Sequence, residues 1–301
     1  MNKQTAVSGR VVRSEGRAAS SVGGDGTTTR RYPEVTLADG TTVFCMNKAE
    51  AKLIFQSVPG YFRHGIDIKD GDTVVDVGAN IGLFTLAAHQ RCHGNVTVYA
   101  FEPIPPVCHV LSMNAERLDG GKVVVLPYGL SDEDSTMTFE YFERATAWSS
   151  AYRDPSTRTI ERQRIKRGVL AGIRHGEYAS WLRFLPIPLR SLAVDLALRR
   201  MLEGTTVDCR VTTLSAVIKE YGINAIDLLK VDVEKSELDV LMGIENHDWG
   251  IIRQIVLEIE DVTTQYPTIA ALLRGHGFKN ITLDQNREQS AGDVGLVYAS
   301  R

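Results

Sequence analysis

From Thr73 onward the chain alternates short runs of β-branched and apolar residues with segments of helical spacing. Thr73–Val77, Val96–Phe101 and Val123–Leu126 are continuous apolar runs of strand length, as buried strands require. Between them Leu83–His89 and Val107–Arg117 place apolar residues at helical intervals, the second opened by Pro105 and Pro106 in its first turn. The alternation resumes with helices at Thr213–Tyr221, Glu237–Met242 and Ile269–Arg274, the last stopped by Gly275 and Gly277. Strands are expected at Ile226–Val233, Ile252–Ile259, Ile281–Leu283 and Leu296–Ala299. Repeated βα units predict a mostly parallel sheet with helices on both faces.

Ahead of these units, Val35–Leu37 and Thr42–Phe44 flank Asp39-Gly40, the signature of a hairpin. Asn47 with Glu50 three residues on resembles a capping box, opening a helix to about Val58. Residues 1–30, rich in Gly, Ser, Thr and Arg, read as a flexible tail. The expected organisation is that tail, an N-terminal hairpin and helix over 31–72, and a catalytic domain over 73–301 with an insertion at about 151–205.

Composition is ordinary for a globular chain of 301 residues, with 43% hydrophobic and 24% charged residues. The net charge of −3 argues against a nucleic-acid partner, but the charge is uneven. Residues 151–210 hold 12 Lys and Arg against 6 Asp and Glu, leaving 22 basic and 31 acidic residues elsewhere. Cys45, Cys92, Cys108 and Cys209 form no C-x-x-C pair and suggest neither a disulfide framework nor a zinc site. No run is long and apolar enough for a membrane helix, and a cytoplasmic protein is expected.

The turn after the first buried strand reads Asp76-Val77-Gly78-Ala79-Asn80-Ile81-Gly82. Open α/β sheets bind ligands at such strand ends. Gly78 suits a tight turn, Gly82 suits close packing of the next helix, and Asp76 suits a cationic amine. Glu102, 26 residues later at the next strand end, suits the two hydroxyls of a ribose. A dinucleotide fingerprint needs glycine where Asn80 stands, which disfavours an NAD-dependent oxidoreductase. S-Adenosylmethionine has an amine and a ribose but no pyrophosphate.

Val75–Thr85 resembles the first motif of the FkbM family of S-adenosylmethionine-dependent methyltransferases. Tyr99-Ala100-Phe101-Glu102-Pro103-Ile104-Pro105-Pro106 resembles its second, and Leu228–Glu237 its third, with Lys235 where most of the family has glycine. Lys235, Ile104-Pro105-Pro106 and Asp248-Trp249 are similar to the branch found as O-methyltransferase domains of polyketide synthases. The resemblance implies a class I methyltransferase, Rossmann-like α/β fold: a mostly parallel seven-stranded sheet, an antiparallel last strand at Leu296–Ala299, and a helical lid insertion. It implies S-adenosylmethionine as cofactor and a hydroxyl of a natural product, free or tethered to a carrier protein, as acceptor. By the same resemblance Asp76, Gly78, Asn80 and Gly82 line the methionine part, Glu102 holds the ribose, and Ser131 and Asp132 lie beside the adenine. Pro103, Asp232, Thr85 and Tyr61 complete the expected cofactor set.

An alcohol acceptor must lose a proton, so a general base is needed. Period-two alternation points Asp232 and Glu234 one way, and Glu258 and Glu260 likewise on the neighbouring strand. In Glu258-Ile259-Glu260-Asp261, Glu260 stands where related O-methyltransferases carry a histidine, the base that the resemblance implies. Three readings stay open: Glu260 as base, a magnesium ion held by Asp232, Glu234, Glu258 and Glu260, or ion pairing with Lys230, Lys235 or a lid arginine. His64 is a further catalytic candidate. A non-catalytic nucleotide-binding or scaffolding module is the alternative function. The basic insertion suits an acceptor lid, a carrier-protein surface, a membrane surface or a homodimer contact.

Overall fold

The computed structural model describes residues 32–150, 163, 166–170, 172–173, 180–285 and 294–301. The expected tail and part of the insertion lie outside the described residues. An N-terminal hairpin pairs β1 (Glu34–Thr36) with β2 (Thr42–Phe44), and α1 (Lys48–Ser57) follows. Asn47 caps α1 by accepting from the N–H groups of Ala49 and Glu50. Only half of the expected capping box forms. The Glu50 carboxylate instead accepts from Ala147 N (3.0 Å) and Thr146 Oγ1 (3.3 Å), which ties the cap to a loop near the sheet's edge.

Seven strands make the main sheet: β3 (Thr73–Val77), β4 (Thr97–Phe101), β5 (Lys122–Leu126), β9 (Leu228–Val231), β10 (Gln254–Ile259), β11 (Asn280–Asp284) and β12 (Gly295–Ser300). Their order is β11-β12-β10-β9-β3-β4-β5. β3, β4, β5, β9 and β10 run parallel, and β12 inserts antiparallel between β10 and β11. This is the class I methyltransferase arrangement expected from the sequence. Helices α2 (Leu83–Arg91), α3 (Pro105–Ala115), α5 (Leu214–Tyr221), α6 (Glu237–Met242) and α7 (Val262–Gly275) connect the strands, and α4 (Ile187–Met201) belongs to the insertion. Two apolar clusters carry the packing: Val75, Phe101, Leu229 and Leu257 lie in one, Val74, Val98, Leu228 and Val256 in the other. Each such fully buried side chain contributes about 1.5–3 kcal/mol relative to exposure.

A three-stranded sheet, β6 (Gly129–Leu130), β8 (Thr205–Thr212) and β7 (Ser135–Tyr141), was not predicted. β7 and β8 pair in antiparallel register across the insertion, with Tyr141 opposite Thr205. Their apolar residues, Met137, Phe139 and Tyr141 on β7 and Val207, Cys209 and Val211 on β8, alternate with polar ones, a weaker signal than a continuous apolar run. The helix expected at Ile269–Arg274 begins earlier, at Val262, where Asp261 accepts from Thr264 N, and Pro267 is accommodated inside it. All four cysteines are free and buried. Among the described residues no helix is long and apolar enough to cross a membrane.

Candidate active site

β3 and β9 are neighbours, and the chain turns to opposite sides of the sheet after them, so their carboxyl ends form the topological switch point. Two loops meet there: Gly78–Gly82 after β3 and Asp232–Ser236 after β9. Gly78 adopts φ +74°, and a Cβ at this position would lie 1.8 Å from the Asp232 carbonyl oxygen. The backbone that comes close to Gly78 is therefore the β9 loop. Gly82, at φ +90°, starts α2, and its Cβ would lie 2.7 Å from Leu111 on α3, which bears out the expected close helix packing. Asn80 takes φ +50°, a conformation asparagine tolerates. Its side chain accepts from Ile81 N (2.7 Å) and meets Thr146 Oγ1 (3.1 Å from Nδ2).

Lys230 organises the junction. It is a charged residue in the otherwise apolar run Leu228-Leu229-Lys230-Val231, and it is 3% exposed. Its ammonium donates to the carbonyls of Gly78 (2.8 Å) and Val77 (3.3 Å) and lies 3.2 Å from Asp76 Oδ1 and 3.6 Å from Asp232 Oδ2. Burial penalises its charge, but Asp76 and Asp232 more than offset this and raise its pKa. The sequence reading named Lys230 only as a partner for acids. A lone lysine inside a buried strand was the available signal. Asp76 is fully buried; its Oδ2 accepts from Thr85 Oγ1 at 2.7 Å, so Thr85 orients that carboxylate.

Glu102 follows β4 beside this turn. Its Oε1 accepts from Ile104 N (2.9 Å) and its Oε2 from Asn80 N (3.1 Å). Burial nonetheless pushes its carboxyl up to about 7. A buried carboxylate with two backbone donors and two spare lone pairs gains from hydroxyl donors, which is what a ribose brings. Gly78 and Asn80 are half-buried at the lip of the turn, so this junction fits an adenosine-bearing cofactor. Ser131, buried after β6, donates from Oγ to Asp132 Oδ1 (3.1 Å), and its carbonyl packs against Gly243 at the end of α6. Pro103 packs against Gly129 at the start of β6.

The acids meet, but not by strand alternation. β9 ends at Val231 and β10 at Ile259, so Asp232, Glu234 and Glu260 lie in loops, and Glu234 (φ +55°) and Lys235 (φ +86°) are left-handed. The loops fold the carboxylates together instead. Tyr61 donates from its hydroxyl to Asp232 Oδ2 (2.8 Å) and lies 3.2 Å from Glu258 Oε2. Glu234 hydrogen-bonds Glu260, and Lys235 Nζ sits 3.8 Å from Glu260 Oε2. Burial first, and then the Glu260 hydrogen bond, push the Glu234 carboxyl well above its ordinary value. Burial and the neighbouring Asp232 push Glu258 up to about 8. Burial and the Glu260 contact thus both favour the protonated form of Glu234, which makes it the natural donor within the Glu234–Glu260 pair. Glu237 Oε1 accepts from Lys235 N at 2.9 Å, which fixes the left-handed loop. Ser150 Oγ donates to the Glu234 carbonyl at 2.7 Å, so the insertion leaves the fold directly beside these acids.

His64 lies elsewhere on the rim. Its Nε2 is 3.1 Å from Asp284 Oδ2, and its ring packs on Tyr298. Among the described residues no group of three or more His, Cys, Asp or Glu is arranged to hold a metal ion.

Residues 76–279 match the profile of the Methyltransferase FkbM domain. The chain is 39% identical over 270 residues to the 31-O-demethyl-FK506 methyltransferase FkbM of Streptomyces tacrolimicus, covering 88% of this chain and 95% of that one. It is 31% identical over 281 residues to the methyltransferase sdnD of Sordaria araneosa, covering 89% and 97% of the two chains. It is also 34% identical over 278 residues to the AMB antimetabolite synthetase AmbE of Pseudomonas aeruginosa, where 89% of this chain spans 12% of the longer protein.

Proposed function

The chain belongs to the FkbM family of S-adenosylmethionine-dependent methyltransferases, and from that premise we propose that it methylates a hydroxyl oxygen of a small-molecule natural product, free or carrier-tethered, with Glu260 as general base. The observation that carries this reading is the position of Glu260 directly after β10, hydrogen-bonded to Glu234 of the β9 loop and faced by Lys235. A relative of 39% identity bears a name that specifies an O-demethyl natural product as its substrate, which supports oxygen as the acceptor atom.

When bound, the cofactor supplies an electrophilic methyl group on a sulfonium, open to in-line displacement. Glu102 takes the ribose hydroxyls, and the Gly78–Gly82 turn receives the methionine part. Asp76 acts through Lys230, whose ammonium grips the turn by the carbonyls of Val77 and Gly78. Ser131 and Asp132 border the adenine, with Pro103 behind them. Glu260 would accept the proton of the acceptor hydroxyl, readying its oxygen for the methyl group that the bound cofactor would supply. Asp232, Glu258 and Tyr61 form the floor that holds the loop of Glu234 and Lys235 in place. The insertion rooted at Ser150 selects the acceptor.

Mass spectrometry tests this directly. The protein is incubated with S-adenosylmethionine and a panel of free and carrier-bound hydroxyl compounds. Gain of one CH₂ on oxygen supports the reading. Transfer to nitrogen or carbon alone, or no transfer across the panel, overturns the acceptor class.

A further inference from the structure

The insertion carries an apolar ridge that stays exposed among the described residues. One side of α4 buries Val194 and Leu198 with Ile173 and Leu182. On the other side Leu189, Leu192 and Leu196, at i, i+3 and i+7, are 54%, 55% and 55% exposed. Ahead of them Trp181, Phe184 and Ile187 are 66%, 77% and 73% exposed. At 3.6 residues per turn, Arg199 and Arg200 fall on either flank of the leucine stripe. The Arg183 guanidinium lies 4.8 Å over the Phe184 ring. Within residues 180–202 Asp195 is the sole acid, and it is 2.6 Å from Lys166 Nζ.

We propose that this ridge docks on an anionic lipid bilayer. Its composition is that of an interfacial helix: exposed leucines along one face, exposed aromatic rings in the turn just ahead of it, arginines at its margins, and acidic charge almost excluded. Charge complementarity selects a negative surface. A second copy of the chain is disfavoured, because it presents the same arginine-flanked surface and so no complementary charge. An acidic protein needs a groove shaped to the protruding leucines and to the aromatic rings ahead of them, whereas a bilayer admits them without one. Monomeric proteins rarely leave apolar patches of this kind uncovered unless they bind something.

Flotation of the full-length protein with phosphatidylglycerol vesicles, against phosphatidylcholine vesicles, tests the proposal. At least ten-fold more protein is expected on phosphatidylglycerol at low salt, with Trp181 emission shifting to the blue. Leu192→Glu/Leu196→Glu should lower that binding ten-fold or more at an unchanged melting temperature. Arg199→Glu/Arg200→Glu should remove the preference for phosphatidylglycerol. If the double leucine variant does not fold, Leu189→Ser and the Trp181 shift of the unaltered protein serve in its place. No binding to phosphatidylglycerol at low salt overturns the proposal. So does binding that the variants leave undiminished, or a dimer or a complex with an acidic protein that the leucine variant dissolves.

Discussion

Lys235 holds a left-handed backbone, φ +86°, and places its ammonium 3.8 Å from the Glu260 carboxylate. A lysine in that region costs about 1–2 kcal/mol relative to glycine. Neither the helix that follows nor the strand before it requires a side chain there, so a use for the ammonium at Glu260 is the expectation to test. Lys235→Gly relieves the strain and gives back about 0.4–1 kcal/mol of it as added freedom of the unfolded chain. Its melting temperature should therefore stay level or rise. Its turnover should fall, because the Glu260 carboxylate has lost its positive neighbour. Lys235→Ala should lose turnover and stability together. A Lys235→Gly protein with unaltered turnover would assign the lysine to structure alone.

Gly78→Ala should be severely destabilising. The new methyl group overlaps the Asp232 carbonyl and needs φ +74°, so the two loops of the switch point must separate. A loss of more than about 4 kcal/mol is expected, in the range reserved for such clashes. Chemical denaturation of the variant, with the midpoint compared at equal slope, measures it. A shift of less than about 1 kcal/mol contradicts the packing described.

Lys230→Met should cost about 3–5 kcal/mol, because it leaves Asp76 charged, buried and unpaired. Adding Asp76→Asn should return part of that loss. The double-mutant cycle reads the coupling, and additive losses would show that the two residues do not interact.

Cofactor affinity should depend on Glu102 and on pH. Burial raises this carboxyl to about 7, and ribose hydroxyls favour its ionised form. Binding of S-adenosylhomocysteine should therefore strengthen as pH rises from about 6 to about 8, with the midpoint near the Glu102 value of about 7. The same shift works against folding: the native state keeps a proton that the unfolded chain releases, so this contribution to stability is complete at low pH and fades as pH rises through about 7. Calorimetry of the unaltered protein and Glu102→Gln separates the two. The variant should bind weakly and without this pH dependence.

Much of this was legible in the sequence because the main sheet is buried on both faces. Runs such as Thr73–Val77 have only one stable fate, and Gly78, Gly82 and Glu102 fall where turns and strand ends require them. The three-stranded sheet went unpredicted although Met137, Phe139 and Tyr141, and Val207, Cys209 and Val211, alternate with polar residues, because the two strands pair only across a long insertion. The acids were named correctly as a group, but for the wrong reason. Asp232, Glu234 and Glu260 are gathered by a left-handed loop and by Tyr61, a residue 171 positions away from Asp232, and no local period encodes such a contact. Lys230 was legible as an anomaly in its strand. Its grip on the Gly78 carbonyl needed the fold.

The central claim is that Glu260 takes the acceptor's proton, and Glu260→Gln tests it most directly. Single-turnover methyl transfer should be measured beside the melting-temperature rise produced by S-adenosylhomocysteine. The account predicts transfer slowed by about 10²–10⁴-fold with the stabilisation retained, as removal of a general base alone requires. Transfer at the unaltered rate, with cofactor stabilisation intact, would contradict it.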